Sequence, residues 1–466
     1  MSHLGEFDLI ERIAAACHPD TASVIPSEVE GSPGIVGIGD DCAVIPQHDG
    51  VDTLVTTDLL IEDRHFLLAD VSPFELGWKS AAVNISDIAA MGGKPTATFL
   101  SIALPKGLSA PSTKSIKNVD GVAKNDAAST KMAQNVDGVA EWVDQFIAGF
   151  RELSARFGVP LLGGDTSASP DKLFINVTVL GECPHGQAVM RSGGRSGDLI
   201  CVTGPLGDSA AGLKLILERA SLGQQPSPAQ VRSRVLGDAP LSEKMAENSL
   251  KGADGCTVEQ GQTPEEVLIR RHYLPMPRVE MGQELAALSG VHAMMDISDG
   301  IASDLRHILK ASSGPTSLAE GAIQLRPSML NPHLPHADEG CGRVTLDSSL
   351  RRVSSGPLGA EIDLKALPLS EELKAVCASR GWDPVEMAVG GGEDYELLFT
   401  VEPGTVLPEG CTVIGRIVDI GSEPGDPSTA LRMTEKRYGM TEKRQRMGGE
   451  IRWIGSDKEY KGFTHF

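Results

Sequence analysis

The stretch SPFELGWKSAAVNISDIAAMGG, residues 72–93, contains the clearest helix in the chain and an acid that such a helix should not bury. Ser72 is a suitable N-cap, a proline follows at the first helical position, and Glu75 is placed to complete a capping box. Apolar residues then recur at helical spacing until two glycines end the pattern. Asn84 and Asp87 lie three residues apart, so they share one helix face. A charged residue on the packed face of an alanine-rich helix is rare, which indicates a functional acid at Asp87.

Five more aspartates resemble Asp87 in lying at the edges of apolar runs, most of them beside glycine, serine or threonine. They are Asp41, Asp58, Asp165, Asp296 and Asp299. Burying a carboxylate costs on the order of several kcal/mol unless a cation or strong hydrogen-bond donors compensate its charge. Magnesium together with a polyphosphate supplies this compensation. The pattern therefore predicts a phosphate site with several metal ions.

Each acidic motif also has an ordinary structural explanation when it is taken alone. The Gly-x-Gly turn of GIGDD (37–41) could end in a solvated acid pair, and TTD (56–58) could end a strand and cap a helix. Asp165 follows the apolar run VPLL, so we expect it at the C-terminal end of a strand, where α/β sites collect acids. In MMDISDG (294–300), an N-cap explains one of the three polar residues but not all of them.

Two glycine-rich segments are candidates for contacts with a ligand. At 204–207 a helix begins near Asp208, and its backbone N–H groups could bind phosphate with Arg191 as a guanidinium clamp. A turn and a surface arginine would look the same. In GGGEDYELLF (390–399) an acid could contact a ligand or cap a turn. The chain has no Walker loop, no protein-kinase motif set and no Ser-His-Asp elbow, so those designs do not apply.

Composition narrows the functional classes further. A net charge of −21 argues against a nucleic-acid-binding face and fits a protein that concentrates divalent cations. No stretch of 18 residues is apolar and uncharged, which predicts no membrane span. The eight cysteines are scattered without metal spacing, and the start lacks the features of a secretion signal. We therefore expect a cytoplasmic protein.

The order of strands and helices predicts two α/β halves, since single cores usually stop growing at about 250 to 300 residues. The strand LFINVTVLG (173–181) closes the first half, and the loop at 191–198 leads into the second, so the boundary is expected near 184–196. Four segments rich in serine, proline, glycine and charge interrupt this order, and we interpret them as exposed inserts. They are 20–34, 111–138, 224–266 and 313–361.

Nine motifs follow one another in an order that resembles the thiamine-monophosphate kinase family, part of the aminoimidazole-ribonucleotide synthetase superfamily of ATP-using enzymes. They are GIGDDCAVI, TTDLLIEDRHF, AVNISDIAAMGGKP, LLGGDTS, MRSGGRSGD, VTGPLGDSAAGL, MDISDGIASDLRHI, GGGEDYELLF and KGFTHF. The resemblance covers nearly the whole chain outside the inserts and residues 420–448. Nine motifs in the order found in the family make the probability of a chance similarity very small.

The resemblance implies a two-domain α/β (α+β) fold. Its N-terminal domain, residues 1–186, would carry a mixed sheet that pairs with its twin in a homodimer, and an insert at about 111–138. Its C-terminal domain, residues 187–466, would be α/β, with inserts at about 224–266 and 313–361 and a variable segment at 420–448.

The resemblance also implies roles for particular residues. Several magnesium ions would be held by Asp41, Thr56, Thr57, Asp58, Asp87, Asp165, Asp296 and Asp299. ATP would contact Gly164, Asp165, Arg191 and Ser298. Thiamine monophosphate would contact His65, Glu393 and Tyr460, where the family more often has tryptophan at the last position. No side chain is expected to act as a general acid or base.

The implied reaction is the ATP-dependent phosphorylation of thiamine monophosphate to thiamine diphosphate by direct in-line transfer. Two other classes of function stay open. One is a non-catalytic, magnesium-nucleotide-binding regulatory protein. The other is a different ATP-dependent synthetase of the superfamily, although Cys42 lacks the basic partner found in selenophosphate synthetases and the chain does not end in the cysteine of the hydrogenase-maturation enzymes.

Overall fold

A computed structural model describes residues 40–46, 50–106, 108, 127–224, 262–313, 357–420, 449–456 and 458–463. Within these ranges the chain forms two mixed β-sheets, each with helices packed against it. The predicted insert 20–34 lies outside the described residues, and so does the predicted variable segment 420–448 except for its first residue. None of the helices in the described ranges has the length and apolarity needed to cross a membrane.

The first sheet belongs to the N-terminal half and supports the acids expected there. Its strands are β1 (Ala43–Pro46), β2 (Val51–Ile61), β3 (Lys94–Pro105), β4 (Leu161–Ser169) and β5 (Phe174–Pro184). They lie in the order β1-β2-β5-β3-β4, and only the neighbours β3 and β4 run parallel. Alternate residues of β2 and β5 are buried, as expected for strands that pack one face on helices.

Two helices cover one face of this sheet, α1 (Pro73–Ala90) and α2 (Ala127–Arg156). The predicted capping box is confirmed: Ser72 Oγ accepts a hydrogen bond from the Glu75 backbone at 3.2 Å, and Glu75 Oε2 accepts one from the Ser72 backbone at 2.9 Å. Helix α1 is buried on nearly every side, because β2 and α2 cover it within the N-terminal half and helices of the other half cover the rest.

The second sheet has the order β11-β8-β10-β6-β9-β7, in which only β8 and β11 run parallel. The strands are β6 (Leu199–Val202), β7 (Val291–Asp296), β8 (Leu358–Asp363), β9 (Leu397–Val401), β10 (Thr412–Asp419) and β11 (Glu450–Ile454). The helices of this half are α3 (Asp208–Ser221), α4 (Pro264–Tyr273), α5 (Val279–Ala287), α6 (Ile301–Ser312), α7 (Glu371–Arg380) and α8 (Pro384–Gly390).

The two halves meet along helix α1, which contacts α4, α5 and β7. The crossing of α1 and α5 is close because it uses glycine: a β-carbon on Gly282 would lie 2.2 Å from the Ala89 carbonyl oxygen. Trp78 adds a hydrogen bond from its indole N–H to the Pro275 carbonyl oxygen at 2.8 Å. Residues of both halves therefore share the surroundings of α1.

Several sequence expectations about local structure are wrong. Asp165 lies in the middle of β4 and not at its end, because the strand continues to Ser169 in parallel pairing with β3. The expected insert at 111–138 includes the first turns of α2, which begins at residue 127. The expected inserts at 224–266 and 313–361 likewise run into α4 and β8. At the start of α4 the missed signal is local, because Thr263 and Glu266 form a capping box there.

Candidate active site

Three carboxylates from distant parts of the sequence form a cluster where helix α1 meets strand β7 of the second sheet. Asp41 precedes β1, Asp87 lies on α1 and Asp296 ends β7. One ligand-type oxygen from each of them lies within 4.8 Å of the other two. We call Asp41, Asp87 and Asp296 the acid cluster. All three belong to the six aspartates that the sequence singled out.

Asp87 is held by a donor from the neighbouring strand. The Thr56 hydroxyl donates a hydrogen bond to Asp87 Oδ2 at 2.5 Å. Burial, followed by the negative charges of Asp58, Asp296 and Asp41, raises the pKa of Asp87 well above its usual range, and the Thr56 hydrogen bond opposes this only in part. The carboxylate therefore resists ionisation unless positive charge is brought to it.

Asp296 belongs to the C-terminal half, and its environment resembles that of Asp87. The Ser86 hydroxyl of α1 donates a hydrogen bond to Asp296 Oδ2 at 2.6 Å. Burial and the nearby Asp41 raise the pKa of Asp296 to about 7, against the lowering effect of Ser86 and Arg191. Thr56 and Ser86 thus each fix one carboxylate oxygen of the cluster.

Arg191 binds the third member of the cluster. Its guanidinium contacts both oxygens of Asp41, at 2.6 Å and 3.3 Å, and its backbone N–H donates to Asp40 Oδ1 at 2.6 Å. Burial raises the pKa of Asp40 above its usual value. The loop that carries Arg191 is thereby fastened to the segment before β1, which sets the position of Asp41.

The donor set of the acid cluster fits a divalent cation. Hard cations such as Mg²⁺ prefer carboxylate oxygens, and three carboxylates this close repel one another when all are ionised. A bound cation would reverse the effect of burial and of the neighbouring acids on these groups. Asp58 is close enough to influence the pKa of both Asp87 and Asp296, and its backbone N–H is held by Asn84 Oδ1 at 3.0 Å.

A separate cavity lies between the segment after β2 and helices of the C-terminal half. His65, His272, Tyr273, Glu393 and Phe463 are among the residues that line it. Two of the three predicted substrate residues, His65 and Glu393, are therefore brought together. Helix α1 connects the acid cluster with the cavity. It carries Asp87 of the acid cluster and a buried lysine, Lys79, that contacts Glu393.

Comparison with known proteins shows which family the chain resembles. The family model for the N-terminal domain of AIR synthase related proteins matches residues 39–183. The thiamine-monophosphate kinase of Bacillus subtilis (strain 168) is 32% identical over 71% of this chain and 78% of its own length. That of Escherichia coli (strain K12) is 30% identical over 85% and 82%.

The chain belongs to the thiamine-monophosphate kinase family. The solved structure of AaThiL complexed with AMPPCP and TMP has 25% sequence identity, covers all of this chain and 98% of its own, and superposes with a TM-score of 0.61. The predicted α/β fold of the aminoimidazole-ribonucleotide synthetase type and the family resemblance are both confirmed.

Two residues expected at the nucleotide and metal site of a thiamine-monophosphate kinase lie away from the acid cluster. The Thr57 side chain is on the opposite face of the sheet from Thr56 and Asp58, where it contacts Thr178 Oγ1 at 3.0 Å. Leu59, two residues after Thr57, lies on the same face as Thr57. In the sheet register Leu59 pairs with Asn176, Asn176 with Ser101, and Ser101 with Asp165. Paired residues share a face, so Asp165 also lies on the face opposite Thr56 and Asp58. Its exposed carboxylate accepts a hydrogen bond from the Thr166 backbone at 2.9 Å.

Gly164 has a structural reason for being glycine in this family member. Its φ is 147°, and a β-carbon would lie 1.7 Å from the Leu100 carbonyl oxygen, so a side chain would separate β3 from β4. The residue lies beside Asp165 on the exposed edge strand. The structure therefore explains the glycine without a ligand, and the ATP contact stays a prediction.

The segment after β7 carries the remaining two predicted residues, Ser298 and Asp299. The Ser298 carbonyl oxygen accepts a hydrogen bond from the Glu393 backbone at 2.8 Å, and the Asp299 backbone donates to Asp304 Oδ2 at 3.2 Å. Burial and the charges of Asp299 and Asp296 raise the pKa of Asp304. Sequence reasoning missed Asp304, although its position five residues after Asp299 in MDISDGIASD was visible.

Tyr460, the third predicted substrate residue, is not among the residues that line the cavity. Its ring packs edge-on against Trp453, with 5.2 Å between the ring centroids, and it is 7% exposed. Phe463, three residues further along, lines the cavity instead. Aromatic residues this close together in an irregular C-terminal segment could not be told apart from sequence.

The beginning of α3 also differs from the hypothesis that it binds phosphate with Arg191. The backbone N–H groups of Gly207 and Ser209 donate to the Asp394 carboxylate at 2.7 Å and 3.2 Å. Arg191 binds Asp41. Asp394, one of the acids in GGGEDYELLF, therefore caps this helix.

Proposed function

We propose that this chain transfers the γ-phosphoryl group of ATP to thiamine monophosphate, giving ADP and thiamine diphosphate. The observation that carries the proposal is the acid cluster, which gathers oxygens of Asp41, Asp87 and Asp296 within 4.8 Å at the junction of both halves. Membership of the thiamine-monophosphate kinase family supplies the identity of the acceptor. ATP is the phosphoryl donor in this proposal.

The chemistry requires little acid or base catalysis. The acceptor is a phosphate whose second pKa is about 6, so it is largely ionised near neutral pH and can attack without a general base. The main barrier is repulsion between two polyanions. Asp41, Asp87 and Asp296, with Asp58 and Asp299 nearby, would hold magnesium, which when bound supplies the positive charge that offsets this repulsion.

The chain's own residues keep the site in position. Thr56 and Ser86 hold one oxygen each of Asp87 and Asp296, and Arg191 holds Asp41 through two contacts. Because these side chains come from β2, α1 and the loop before β6, the carboxylates do not need to reorganise when the substrates arrive. Such preorganisation supports direct in-line transfer without a phosphorylated enzyme.

The organic part of thiamine monophosphate would bind among the residues that line the cavity next to α1. Because the cavity volume is about 10 Å³, these side chains would have to move apart to admit it. His65 and Glu393 are the proposed polar contacts, and Phe463 and Tyr273 supply apolar surface. Tyr460 would have to leave its packing against Trp453 to join them. Bound here, the substrate would lie close to the acid cluster on the same helix, α1.

A homodimer is part of the proposal. Strand β4 has a neighbour on one side only within the described residues, and it carries Leu161 and Leu162, which are 36% and 63% exposed. Exposed apolar residues on an open strand edge favour pairing with another chain. Asp165, Gly164 and Thr57 would meet ATP or metal once a second chain covers this side.

The division into domains 1–186 and 187–466 belongs to the same proposal, supported by a family match that ends at residue 183.

We also place the reaction in the cytoplasm, where ATP is available. The described cysteines are all unpaired thiols, which is typical of a reducing compartment.

The test is ADP release measured with ATP, thiamine monophosphate and Mg²⁺, and repeated without the acceptor or with EDTA. We expect release only in the complete mixture, with product thiamine diphosphate. ATP binding without ADP release would favour the regulatory protein, and release with another acceptor would favour a different synthetase of the superfamily. A radiolabelled enzyme in single turnover with γ-labelled ATP would contradict direct transfer.

A further inference from the structure

Lys79 is a buried charge on helix α1 that neither the metal site nor the phosphate chemistry requires. Its side chain is 1% exposed, and its Nζ lies 2.8 Å from Glu393 Oε1, whose side chain is 7% exposed. Lysine is almost never buried to this extent without a partner, because its ammonium group is strongly hydrated in water. The ion pair joins the N-terminal half to the substrate cavity of the C-terminal half.

His272 and Ser209 extend this contact into a network. His272 Nε2 lies 3.4 Å from Lys79 Nζ, and His272 Nδ1 lies 3.0 Å from Ser209 Oγ and 3.5 Å from Glu393 Oε2. Burial, and then the charge of Lys79, lowers the pKa of His272 to about 3, so the ring is neutral. Since an ammonium group can only donate, Nε2 accepts from Lys79 and the ring proton sits on Nδ1, toward Ser209 and Glu393.

The backbone of Glu393 is also held in an unusual conformation. Its φ is 63°, in the left-handed region that few residues other than glycine adopt. The Glu393 backbone N–H donates to the Ser298 carbonyl oxygen at 2.8 Å, and Gly392 packs so closely on that oxygen that a β-carbon would lie 2.2 Å from it. Such a conformation persists only where the surroundings determine it. Backbone and side chain of Glu393 are thus both fixed.

The charge balance of the pair decides what Glu393 can offer a ligand. Lys79 already compensates the carboxylate, so Glu393 is suited to accept a hydrogen bond and not to serve as the counter-ion of a cation. Thiamine monophosphate carries one obvious neutral donor, the amino group of its pyrimidine ring. His272 and Glu393 line the cavity together, beside His65 and Phe463.

We propose that Lys79 and His272 are positioning residues, which orient the Glu393 carboxylate so that it accepts a hydrogen bond from the amino group of the substrate's pyrimidine. This inference rests on the proposed function and extends it to residues outside the predicted site. Lys79 and Asp87 lie eight residues apart on α1, or about 12 Å along the helix axis. Helix α1 therefore sets the spacing between the ring end of the substrate and the acid cluster.

The experiment compares Lys79→Met, Glu393→Gln and the double variant for KM and kcat with each substrate. We expect Lys79→Met to raise the KM for thiamine monophosphate by about tenfold or more, the size of effect expected when a buried charged hydrogen-bond partner is lost. The KM for ATP should stay within about twofold. The double variant should match Glu393→Gln alone, because residues that act through one another are not additive.

A matched control is Lys374→Met. Lys374 makes an ion pair of the same length, 2.8 Å to Glu371, but its side chain is 49% exposed and lies on α7. We expect no change in either KM. A second readout uses the analogue in which a carbonyl oxygen replaces the pyrimidine amino group. Wild type should reject this analogue, and Lys79→Met should discriminate less well.

The outcomes separate this proposal from the proposed function. If wild type makes no thiamine diphosphate, the function fails and the positioning role fails with it. If wild type is active but Lys79→Met raises both KM values alike, or its effect multiplies with that of Glu393→Gln, Lys79 is only structural and the positioning role is overturned. Should Lys79→Met fail to fold, His272→Gln leaves the ion pair in place and must itself raise only the KM for thiamine monophosphate.

Discussion

Asp87 shows at the scale of one residue how a functional acid can oppose folding. Its carboxylate is buried beside Asp41 and Asp296, and only the Thr56 hydrogen bond favours its ionised form among the named neighbours. Burying the carboxylate is unfavourable in the free protein, but a bound cation supplies the positive charge that compensates it. The same acid should therefore be essential for turnover and unhelpful to stability in the metal-free protein.

We predict that Asp87→Asn lowers kcat by about 100-fold or more, the effect seen when one electrostatic contributor to a transition state is lost. The metal-free variant should melt at the same temperature as wild type or higher, because one buried negative charge is gone. Activity is measured by coupled ADP release and melting by circular dichroism. Asp171→Asn, at an exposed position, is the control and should change neither. A kcat near that of wild type would remove Asp87 from the site.

At the scale of elements, the crossing of α1 and α5 places the acid cluster. Helix α1 carries Ser86 and Asp87, and its C-terminal end packs on Gly282 of α5. An added β-carbon at Gly282 would meet the Ala89 backbone oxygen at 2.2 Å, and a backbone atom cannot rotate away as a side chain can. The helices would have to separate, which would move Asp87 relative to Asp296.

We predict that Gly282→Ala destabilises the protein by about 1 to 3 kcal/mol, the usual cost of overpacking, and also lowers kcat. Urea denaturation and the ADP-release assay measure the two effects. Glu284→Ala is the control, because Glu284 is exposed on the same helix and its replacement should alter stability by less than about 0.5 kcal/mol. Unchanged stability in Gly282→Ala would mean that the helices tolerate a wider crossing.

At the scale of the whole molecule, the acid cluster makes stability depend on pH. Burial raises the pKa of Asp296 to about 7, and it also raises that of Asp87. An acid whose pKa is raised on folding binds its proton more tightly in the folded state, so stability falls as the pH rises from about 4 through 7. His272 and His307 act in the opposite direction, because their pKa values are lowered to about 3 and about 4 and stability is lost as the pH falls below about 6.5.

We predict that Mg²⁺ without nucleotide raises the melting temperature by several degrees at about pH 8 and by much less at about pH 5, where protons compete for the same carboxylates. The comparison of MgCl₂ with EDTA at each pH isolates the cluster, because the histidines titrate in both samples. Asp87→Asn should reduce the difference between the two pH values. Equal increments at both would show that magnesium binds elsewhere.

The open edge of the first sheet leads to a prediction about assembly. Leu162 on β4 is 63% exposed, and a charge there would oppose burial against a second chain. We predict that wild type sediments as a dimer and that Leu162→Asp sediments as a monomer with reduced activity. Leu222→Asp is the control, since Leu222 is 70% exposed just after α3 and away from that strand. A monomeric wild type would remove the dimer from the proposal.

Sequence patterns predict local structure correctly where the interacting residues lie within one short segment. The sequence predicts the capping box of Ser72 and Glu75 correctly, because both partners lie within one helical turn. Asp296 was expected where a strand gives way to a helix, and β7 ends at that residue. The wrong expectations concern Asp165, which lies within β4 because pairing with β3 extends the strand to Ser169, and the start of α2 at residue 127.

The sequence by itself determined the family, the order of the strands and helices around the site, and which aspartates carry unusual local contexts. These properties are written in residue types and spacings along the chain. Only the tertiary structure decided that Asp41, Asp87 and Asp296 meet, that Arg191 binds Asp41, and that Lys79 reaches Glu393. These contacts join residues far apart in sequence, and the sheet register and the glycine crossing of α1 and α5 set their distances. The burial of these groups and the interactions between their charges depend on those distances. The pKa shifts therefore arise only in the folded chain.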